Sequence, residues 1–185
     1  MRRLWRWMAS SPSAARDIPI TNNDFLRRLR YALDLSDDRM IAVFADAGMT
    51  VSRTEVSAWL KQDEDLQFEP CSNRALTHFL DGLIVQSRGR REGDQPEPDY
   101  YSINNNIVLM KLKIAFNLKA DEVLSVLECA GTTISKHELS AFLRRPGHRQ
   151  YRQCLDQILR NFLRGIGRWH RDDACPVPGG KWPDR

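Results

Sequence analysis

The sequence has few cysteines, and their spacing gives no support to the usual cysteine chemistry. Four are present, at Cys71, Cys129, Cys154 and Cys175, and no two of them form a C-x-x-C pair. Structural zinc sites and dithiol redox motifs generally use such close pairs. We therefore expect reduced thiols, and the sequence predicts no metal and no other cofactor.

Long apolar runs are also missing. A membrane-spanning helix needs about 20 consecutive apolar residues, and the 185-residue chain contains no run near that length. The first eight residues mix arginine with tryptophan and lack the continuous apolar segment of a signal peptide. These absences predict a protein with no membrane association and, by default, a cytoplasmic location.

What the sequence does contain is an internal duplication. Residues 20–83 align without a gap with residues 103–166, at a constant offset of 83 positions (103 − 20). The matched segments include Ile-Thr-Asn-Asn with Ile-Asn-Asn-Asn, and Phe-Leu-Asp-Gly-Leu with Phe-Leu-Arg-Gly-Ile. Because so short a unit buries little apolar surface on its own, we expect the two copies to share one core.

Each copy is predicted to form four short helices. Apolar residues recur at helical spacing, and no segment alternates for long enough to indicate a strand. The third helix has the clearest start, because S-x-x-E capping boxes begin at Ser52 and Ser135. Gly48 and Gly131 can end the second helix in a left-handed conformation. We therefore predict an all-α fold of two tandem four-helix repeats packed with pseudo-twofold symmetry.

The repeat boundaries follow from composition, because proline, glycine and unpatterned charge concentrate outside the two copies. We predict a disordered N-terminal tail at 1–19, a first helical repeat at 20–85, a linker at 86–102, a second helical repeat at 103–167 and a disordered C-terminal tail at 168–185. The expected core contains four matched pairs of side chains, which are Leu29, Phe44, Trp59, Phe79, Leu112, Leu127, Phe142 and Phe162.

Four motifs occur in order, twice, across residues 20–166: I-x-N-N-x-x-L-x-x-L, A-G-x-T-[VI]-S, E-[VL]-S-A-[WF]-L and F-L-x-G-[LI]. In this the chain resembles the YehS-like bacterial proteins, a family with a duplicated domain of unknown function. The resemblance implies a small soluble protein without an assigned activity. It therefore carries over no catalytic residues.

Four asparagines form the first candidate site. Asn22, Asn23, Asn105 and Asn106 stand at the start of the first helix of each copy, although asparagine is a poor helix former. One interpretation is that their side chains hydrogen-bond locally at the helix start. The other is that the four amides meet near the pseudo-twofold axis and bind a polar ligand.

No catalytic residues are predicted, and we expect that the protein is not an enzyme. Cys71 and Cys154 occupy equivalent positions at the start of the apolar stripe of the fourth helix, where burial is expected. A nucleophile pair of His148 with Cys154 is conceivable. Helical phase and the replacement of this histidine by Asp65 in the first copy argue against it.

The turn between the second and third helices raises the possibility of nucleic-acid binding. It forms an αα-hairpin of the kind that helix-turn-helix proteins use, and in the second copy its third helix would present Lys136, His137, Ser140, Arg144 and Arg145 to a groove. Most such hairpins contact no nucleic acid, and this loop is longer than the tight turn of typical readers.

Charge differs strongly between the copies. The first has 7 Lys/Arg and 11 Asp/Glu, and the second has 10 and 5. After the third helix, a cluster of acids from Asp63 to Glu69 in the first copy matches a cluster of cations in the second. These loops are either solvated surfaces or complementary binding surfaces. The candidate anion-binding or partner-binding residues are Lys136, Arg144, Arg145, His148, Arg149 and Arg152.

These observations predict a non-enzymatic interaction or regulatory module that binds a protein partner. The alternative is nucleic-acid binding through the helix-turn-helix-like hairpins and the basic second repeat. An exposed apolar groove would favour a protein partner, and a basic stripe along a protruding third helix would favour nucleic acid.

Overall fold

The computed structural model describes residues 19–90, 103–171 and residue 175 of the chain. Within these residues the chain forms eight α-helices and no strand. The first repeat contains α1 (Asn22–Leu33), α2 (Asp37–Asp46), α3 (Arg53–Leu60) and α4 (Asn73–Arg88). The second contains α5 (Asn105–Ala115), α6 (Ala120–Cys129), α7 (Lys136–Phe142) and α8 (Asp156–Arg171). The prediction of an all-α fold with two four-helix repeats is confirmed.

Polar side chains start the third helices at the predicted residues. Ser52 Oγ accepts the N–H of Glu55 at 3.2 Å, and the Glu55 carboxylate accepts the N–H of Ser52 at 2.8 Å. The box at Ser135 repeats both bonds with the same distances. Gly48 and Gly131 follow α2 and α6 with φ of 79° and 77°, a left-handed conformation that glycine adopts without strain.

The two repeats complete one another's core. Within a repeat, α2 packs against α3 and α4, and α6 packs against α7 and α8. The main neighbour of α1 is α8, and the main neighbour of α5 is α4, so both helices pack chiefly on the other repeat. Exchange of the repeats maps one of these interfaces onto the other, as pseudo-twofold symmetry requires. Apolar side chains from both repeats form a single core, which includes all eight predicted positions.

One glycine in the last helix of each repeat permits a close helix crossing. Gly82 of α4 faces Val43 of α2, and Gly165 of α8 faces Val126 of α6. A Cβ atom at either glycine would overlap the valine carbonyl oxygen, and so only glycine lets the backbones approach this closely. This contact gives the F-L-x-G-[LI] motif its physical reason.

Helices α4 and α8 extend beyond the predicted repeat boundaries. The linker was predicted from residue 86 and the C-terminal tail from residue 168, but α4 continues to Arg88 and α8 to Arg171. These arginines are equivalent, and each binds a carbonyl oxygen across the repeat interface. Arg88 Nε donates to Ile114 O at 3.0 Å, and Arg171 Nη1 donates to Tyr31 O at 2.7 Å. The last turns are helical because they pack on the other repeat, which composition does not reveal.

The expectation that all four thiols are reduced is wrong. The structure joins Cys129, at the end of α6, to Cys175 in a disulfide with Cα atoms 5.9 Å apart, a separation that disulfides ordinarily span. The two residues are 46 positions apart, so no local spacing could reveal the pair. Cys71 and Cys154 are free and buried, as the apolar stripe predicted.

The remaining predictions for the tails and the linker fall on 1–18, 91–102, 172–174 and 176–185, which lie outside the described residues. Of the helices in the part of the chain that the structure describes, none is long and apolar enough to cross a membrane. Over the same residues, no group of three or more His, Cys, Asp and Glu side chains is placed to hold a metal ion.

Candidate functional site: the basic loop of the second repeat

The second asparagine of each pair is a buried anchor within its own repeat. Asn106 Nδ2 donates to Phe142 O at 2.8 Å and to Arg152 O at 2.7 Å. Its Oδ1 accepts the N–H of Cys154 at 2.9 Å. Asn23 makes the same three bonds to the equivalent residues of the first repeat. Both N–H groups of each amide are therefore occupied by backbone carbonyls, which leaves no donor for a ligand.

The first asparagine of each pair completes the attachment. Asn105 Nδ2 donates to Cys154 O at 3.0 Å and to Asp156 Oδ1 at 2.6 Å. Asn22 bonds the equivalent positions at 3.0 and 2.9 Å. Each of the four asparagines forms these bonds with partners that are 36 to 51 residues away in the sequence, rather than within one helical turn. These amides thus tie together distant segments of their own repeat, and none of these bonds joins the asparagines of one repeat to those of the other.

These ties fix the loop that joins α7 to α8. Arg152 O accepts the Asn106 amide, and the N–H of Arg152 donates to Ala141 O at 3.2 Å. Tyr151 Oη donates to Asn106 Oδ1 at 3.3 Å. The backbone near Arg152 is therefore held on both sides while its side chain remains exposed. Residues 144–152 are called the basic loop below.

The basic loop presents its cations to solvent. All of Arg144, Arg145, His148, Arg149 and Arg152 are exposed. None of the four arginines forms an ion pair with a carboxylate of the described residues. Arg144 Nη1 lies 3.2 Å from His148 Nε2. The pKa of Glu138 is lowered mainly by the hydrogen bond from the Ser135 N–H and least by the charge of Arg152. Within the part of the chain that the structure describes, the positive charge of the loop is therefore largely uncompensated.

The equivalent loop of the first repeat is partly neutralised by its own neighbours. Asp63 Oδ1 lies 3.3 Å from Arg27 Nη1, and Asp65 Oδ1 lies 3.3 Å from Lys61 Nζ. The position of Arg27 is taken in the second repeat by Met110 (110 − 83 = 27), which has no charge to offer. The two loops differ in the sign of their charge, and among the described residues only the acidic loop has ion pairs with its neighbours.

An apolar groove borders the basic loop. Its volume is about 100 Å³, and it lies between α5, the end of α7 and the start of the loop. Met110 lies along it and is 40% exposed. In the first repeat, the equivalent Arg27 binds Lys61 O and Asp63 instead. The apolar and aromatic side chains that line the groove are Ile107, Met110, Phe142, Leu143, Pro146 and Tyr151, and the rest of the lining consists of Asn104, Asn106, Arg144 and Arg145.

The cations at the starts of the third helices already have acidic partners. Lys136 Nζ lies 2.7 Å from Asp121 Oδ1 on α6. Arg53 pairs with Asp37 at 3.6 Å and also with Asp38, both on α2. Lys136 therefore differs from the four loop arginines, although the sequence grouped it with them. A third helix that entered a DNA groove would first have to exchange these ion pairs for phosphate contacts.

His148 and Cys154 do not form a nucleophile pair. The Cys154 side chain is fully buried, whereas His148 is exposed on the basic loop. Burial raises the pKa of the Cys154 thiol to about 12, and burial likewise raises the pKa of Cys71 to about 12. Neither thiol provides a thiolate nucleophile at neutral pH.

Sequence reasoning missed one cleft between the repeats. It has a volume of about 310 Å³, lies between α1 and α8 and is lined by five arginines. Arg160, Arg164 and Arg168 recur every fourth residue and so lie on one face of α8. That spacing was a readable signal, but only the packing of α8 against α1 shows what the arginines line.

The fold and these surfaces define a class of protein. It is a duplicated all-helical protein whose repeats complete one core and whose distinctive features are charged surfaces. The chain belongs to the family described as protein of unknown function (DUF1456), which matches residues 22–89 and 105–171, once per repeat.

A curated relative supports the same assignment. The chain is 37% identical over 145 residues to the uncharacterized protein YehS of Escherichia coli (strain K12). The match covers 78% of this chain and 93% of that protein. The resemblance seen in the repeated motifs is confirmed, and neither description assigns an activity. No solved structure matches this chain.

Proposed function

We propose that this protein is a non-enzymatic interaction module that binds an acidic segment of a protein partner. The binding surface consists of the basic loop and the apolar groove beside it. The observation that carries the proposal is their adjacency, because Arg144 and Arg145 belong to the loop and also line the groove. A partner segment that combines carboxylates with an apolar side chain would be complementary to both.

The physical argument divides the work between the two parts of this surface. Unpaired cations attract an acidic segment and select against basic ones, with an effect that weakens as salt rises. An apolar side chain placed against Met110 and Pro146 would then remove apolar area from water, at about 25 cal/mol per Å². The Asn106 ties hold the loop in place before binding, which reduces the entropy cost of association.

Nucleic-acid binding is the second candidate. The same arginines could contact phosphates, and this binding would also weaken with salt. Two observations favour the protein partner. The cations at the starts of the third helices are already ion-paired, and an apolar groove contributes nothing to phosphate contacts.

The test uses the full chain and two fluorescent probes, an Asp/Glu-rich peptide with one central Leu and a DNA duplex. The variant combines Arg144→Lys, Arg145→Gln, Arg149→Leu and Arg152→Glu, which are the residues at the same positions of the first repeat. Because that repeat already accommodates them, the fold should persist, as circular dichroism would check. We expect the wild type to bind the peptide, and we expect the affinity of the variant to be at least about tenfold lower.

Two matched variants separate the candidate functions. Met110→Arg introduces the residue of the first repeat and fills the groove, so it should weaken peptide binding while leaving DNA binding unchanged or stronger. Lys136→Gln removes an ion-paired cation outside the loop and should leave peptide binding unchanged. Equal peptide binding by wild type and the fourfold variant would overturn the proposal. Tighter binding of DNA than of peptide, insensitive to Met110→Arg, would favour nucleic acid instead.

A further inference from the structure

The two interfaces between the repeats are equivalent by symmetry but differ in charge. At the α4–α5 interface, Lys111 Nζ forms an ion pair with Asp81 Oδ1, and both side chains are largely shielded from solvent. The offset of 83 maps Asp81 onto Arg164 (81 + 83) and Lys111 onto Arg28 (111 − 83), which both line the α1–α8 cleft. Two like charges therefore stand where the other interface has an opposite pair.

Further substitutions concentrate positive charge in the cleft. Arg160 takes the position of Thr77, and Arg168 takes the position of Val85. Among the described residues, no carboxylate lines the cleft. Asp24 pairs with Arg28 at 2.9 Å from one turn away on α1. Within the ranges that the structure describes, more cations therefore line this cleft than stand at the equivalent positions of the other interface.

A glycine lets α8 approach α1 closely beside the cleft. Gly167 takes the position of Ile84, and a Cβ atom there would lie 3.3 Å from Ala32 and 3.1 Å from Arg171 Nη2. The isoleucine side chain of the other interface would not fit at this position without displacing one of them. Gly167 and Ala32 therefore form a close contact that lines the cleft, whose volume of about 310 Å³ is at the lower end of the range of small-molecule sites.

Neutral acceptors orient two of the guanidinium groups. Arg168 Nη1 donates to Cys129 O at 2.6 Å, and Arg171 Nη1 donates to Tyr31 O at 2.7 Å. Arg171 also lies 4.2 Å over the Tyr31 ring. These contacts hold the groups in place without cancelling their charge. Arg164 is exposed and forms no ion pair with any residue that the structure describes.

We propose that the α1–α8 cleft binds a small anion that carries two or more phosphate groups. Guanidinium groups match phosphate oxygens with paired, charge-assisted hydrogen bonds. Arg160, Arg164 and Arg168 are spaced about 6 Å apart along the helix axis, so one phosphate group cannot bridge all three. Binding would offset the repulsion between α1 and α8 and so stabilise the contact of the two repeats. The cleft is independent of the basic loop, and this inference goes beyond the proposed function.

The test is calorimetric titration of the full chain with tripolyphosphate, with sodium chloride used to hold the ionic strength constant. We expect one site per chain and a rise in the unfolding temperature at saturation. Arg164→Asp introduces the aspartate that the first repeat has at the equivalent position, Asp81. An aspartate opposite Arg28 would recreate the ion pair of the other interface. This variant should therefore stay folded, unfold at a higher temperature than the wild type without ligand, and bind tripolyphosphate at least about tenfold more weakly.

Two further variants keep the result interpretable. Arg164→Gln removes one charge without adding an acid and should also weaken binding, which covers the case in which Arg164→Asp disturbs folding. Arg149→Gln lies in the basic loop and should leave tripolyphosphate binding unchanged, so the two proposed sites fail or succeed separately. Equal affinity of wild type and Arg164→Gln, or a temperature shift no larger than chloride gives, would show that the arginines are only a solvated face and overturn the proposal.

Discussion

At the scale of single residues, one buried asparagine per repeat connects the start of the first helix to the loop after the third. Asn23 and Asn106 each form three hydrogen bonds with backbone groups that have no partner within a helix. Buried backbone groups require such partners. The asparagine at the start of the first helix is therefore explained by the distant backbone groups to which it hydrogen-bonds. In the second repeat, the bonds of Asn106 hold the basic loop in position.

The first prediction at this scale concerns Asn23. Asn23→Ala leaves two carbonyl oxygens and one N–H without partners, so it should lower the free energy of unfolding by about 2 to 4 kcal/mol. Asn22→Ala is the matched control, because Asn22 is only half-buried and one of its acceptors is the exposed Asn73. Urea unfolding followed by circular dichroism measures both. Equal losses for the two variants would contradict the anchoring role.

At the scale of the elements, capping and helix crossing are set by different requirements. The capping boxes at Ser52 and Ser135 depend on residues three positions apart, and both form as their sequence predicts. The crossing of α4 over α2 depends instead on the absence of a side chain at Gly82. The alignment found that glycine in both copies but could not say which backbone approaches it.

The glycine prediction compares two positions with different costs. Gly82→Ala forces a methyl group against the backbone of Val43, so it should cost about 3 kcal/mol or more. Gly48→Ala meets no atom within 4 Å but adopts a φ of 79°, so it should cost about 1 to 2 kcal/mol. Thermal unfolding of both variants measures the difference. Gly165→Ala, the equivalent of Gly82→Ala in the second repeat, serves as an independent check. A smaller loss for Gly82→Ala than for Gly48→Ala would show that the helices can separate there.

At the scale of the whole molecule, the repeats depend on each other. The main partners of α1 and α5 lie on the opposite repeat, and the buried side chains form one core. A separated repeat would expose the faces of its first and last helices to water. The cost of that exposure is the reason to expect one cooperative unit rather than two independent domains.

A chain cut between the repeats tests this dependence. A protease site inserted within residues 91–102 allows cleavage of the folded protein without touching any described helix. The two fragments should then migrate together in size-exclusion chromatography, separate only in denaturant, and lose most of their helicity when purified apart. Fragments that separate in buffer and stay helical would mean that each repeat is stable alone.

The sequence by itself determined the features that depend on neighbours along the chain. Helical periodicity, the capping boxes and the turn at Gly48 involve residues within a few positions of one another, and duplication confirmed each pattern by repeating it. The same locality predicted that Cys71 and Cys154 would be buried, because both precede an apolar helical stripe.

Only the tertiary structure decided which surfaces face each other. The partners of Asn106 are 36 to 48 residues away, the disulfide joins residues 46 positions apart, and Arg164 and Arg28 line one cleft from opposite repeats. The helix ends at Arg88 and Arg171 depend on the same long-range packing. Such contacts leave no period or spacing in a single sequence, because their geometry follows from how the helices pack. The apolar groove within the second repeat and the arginine cleft between the repeats could therefore be found only in the tertiary structure.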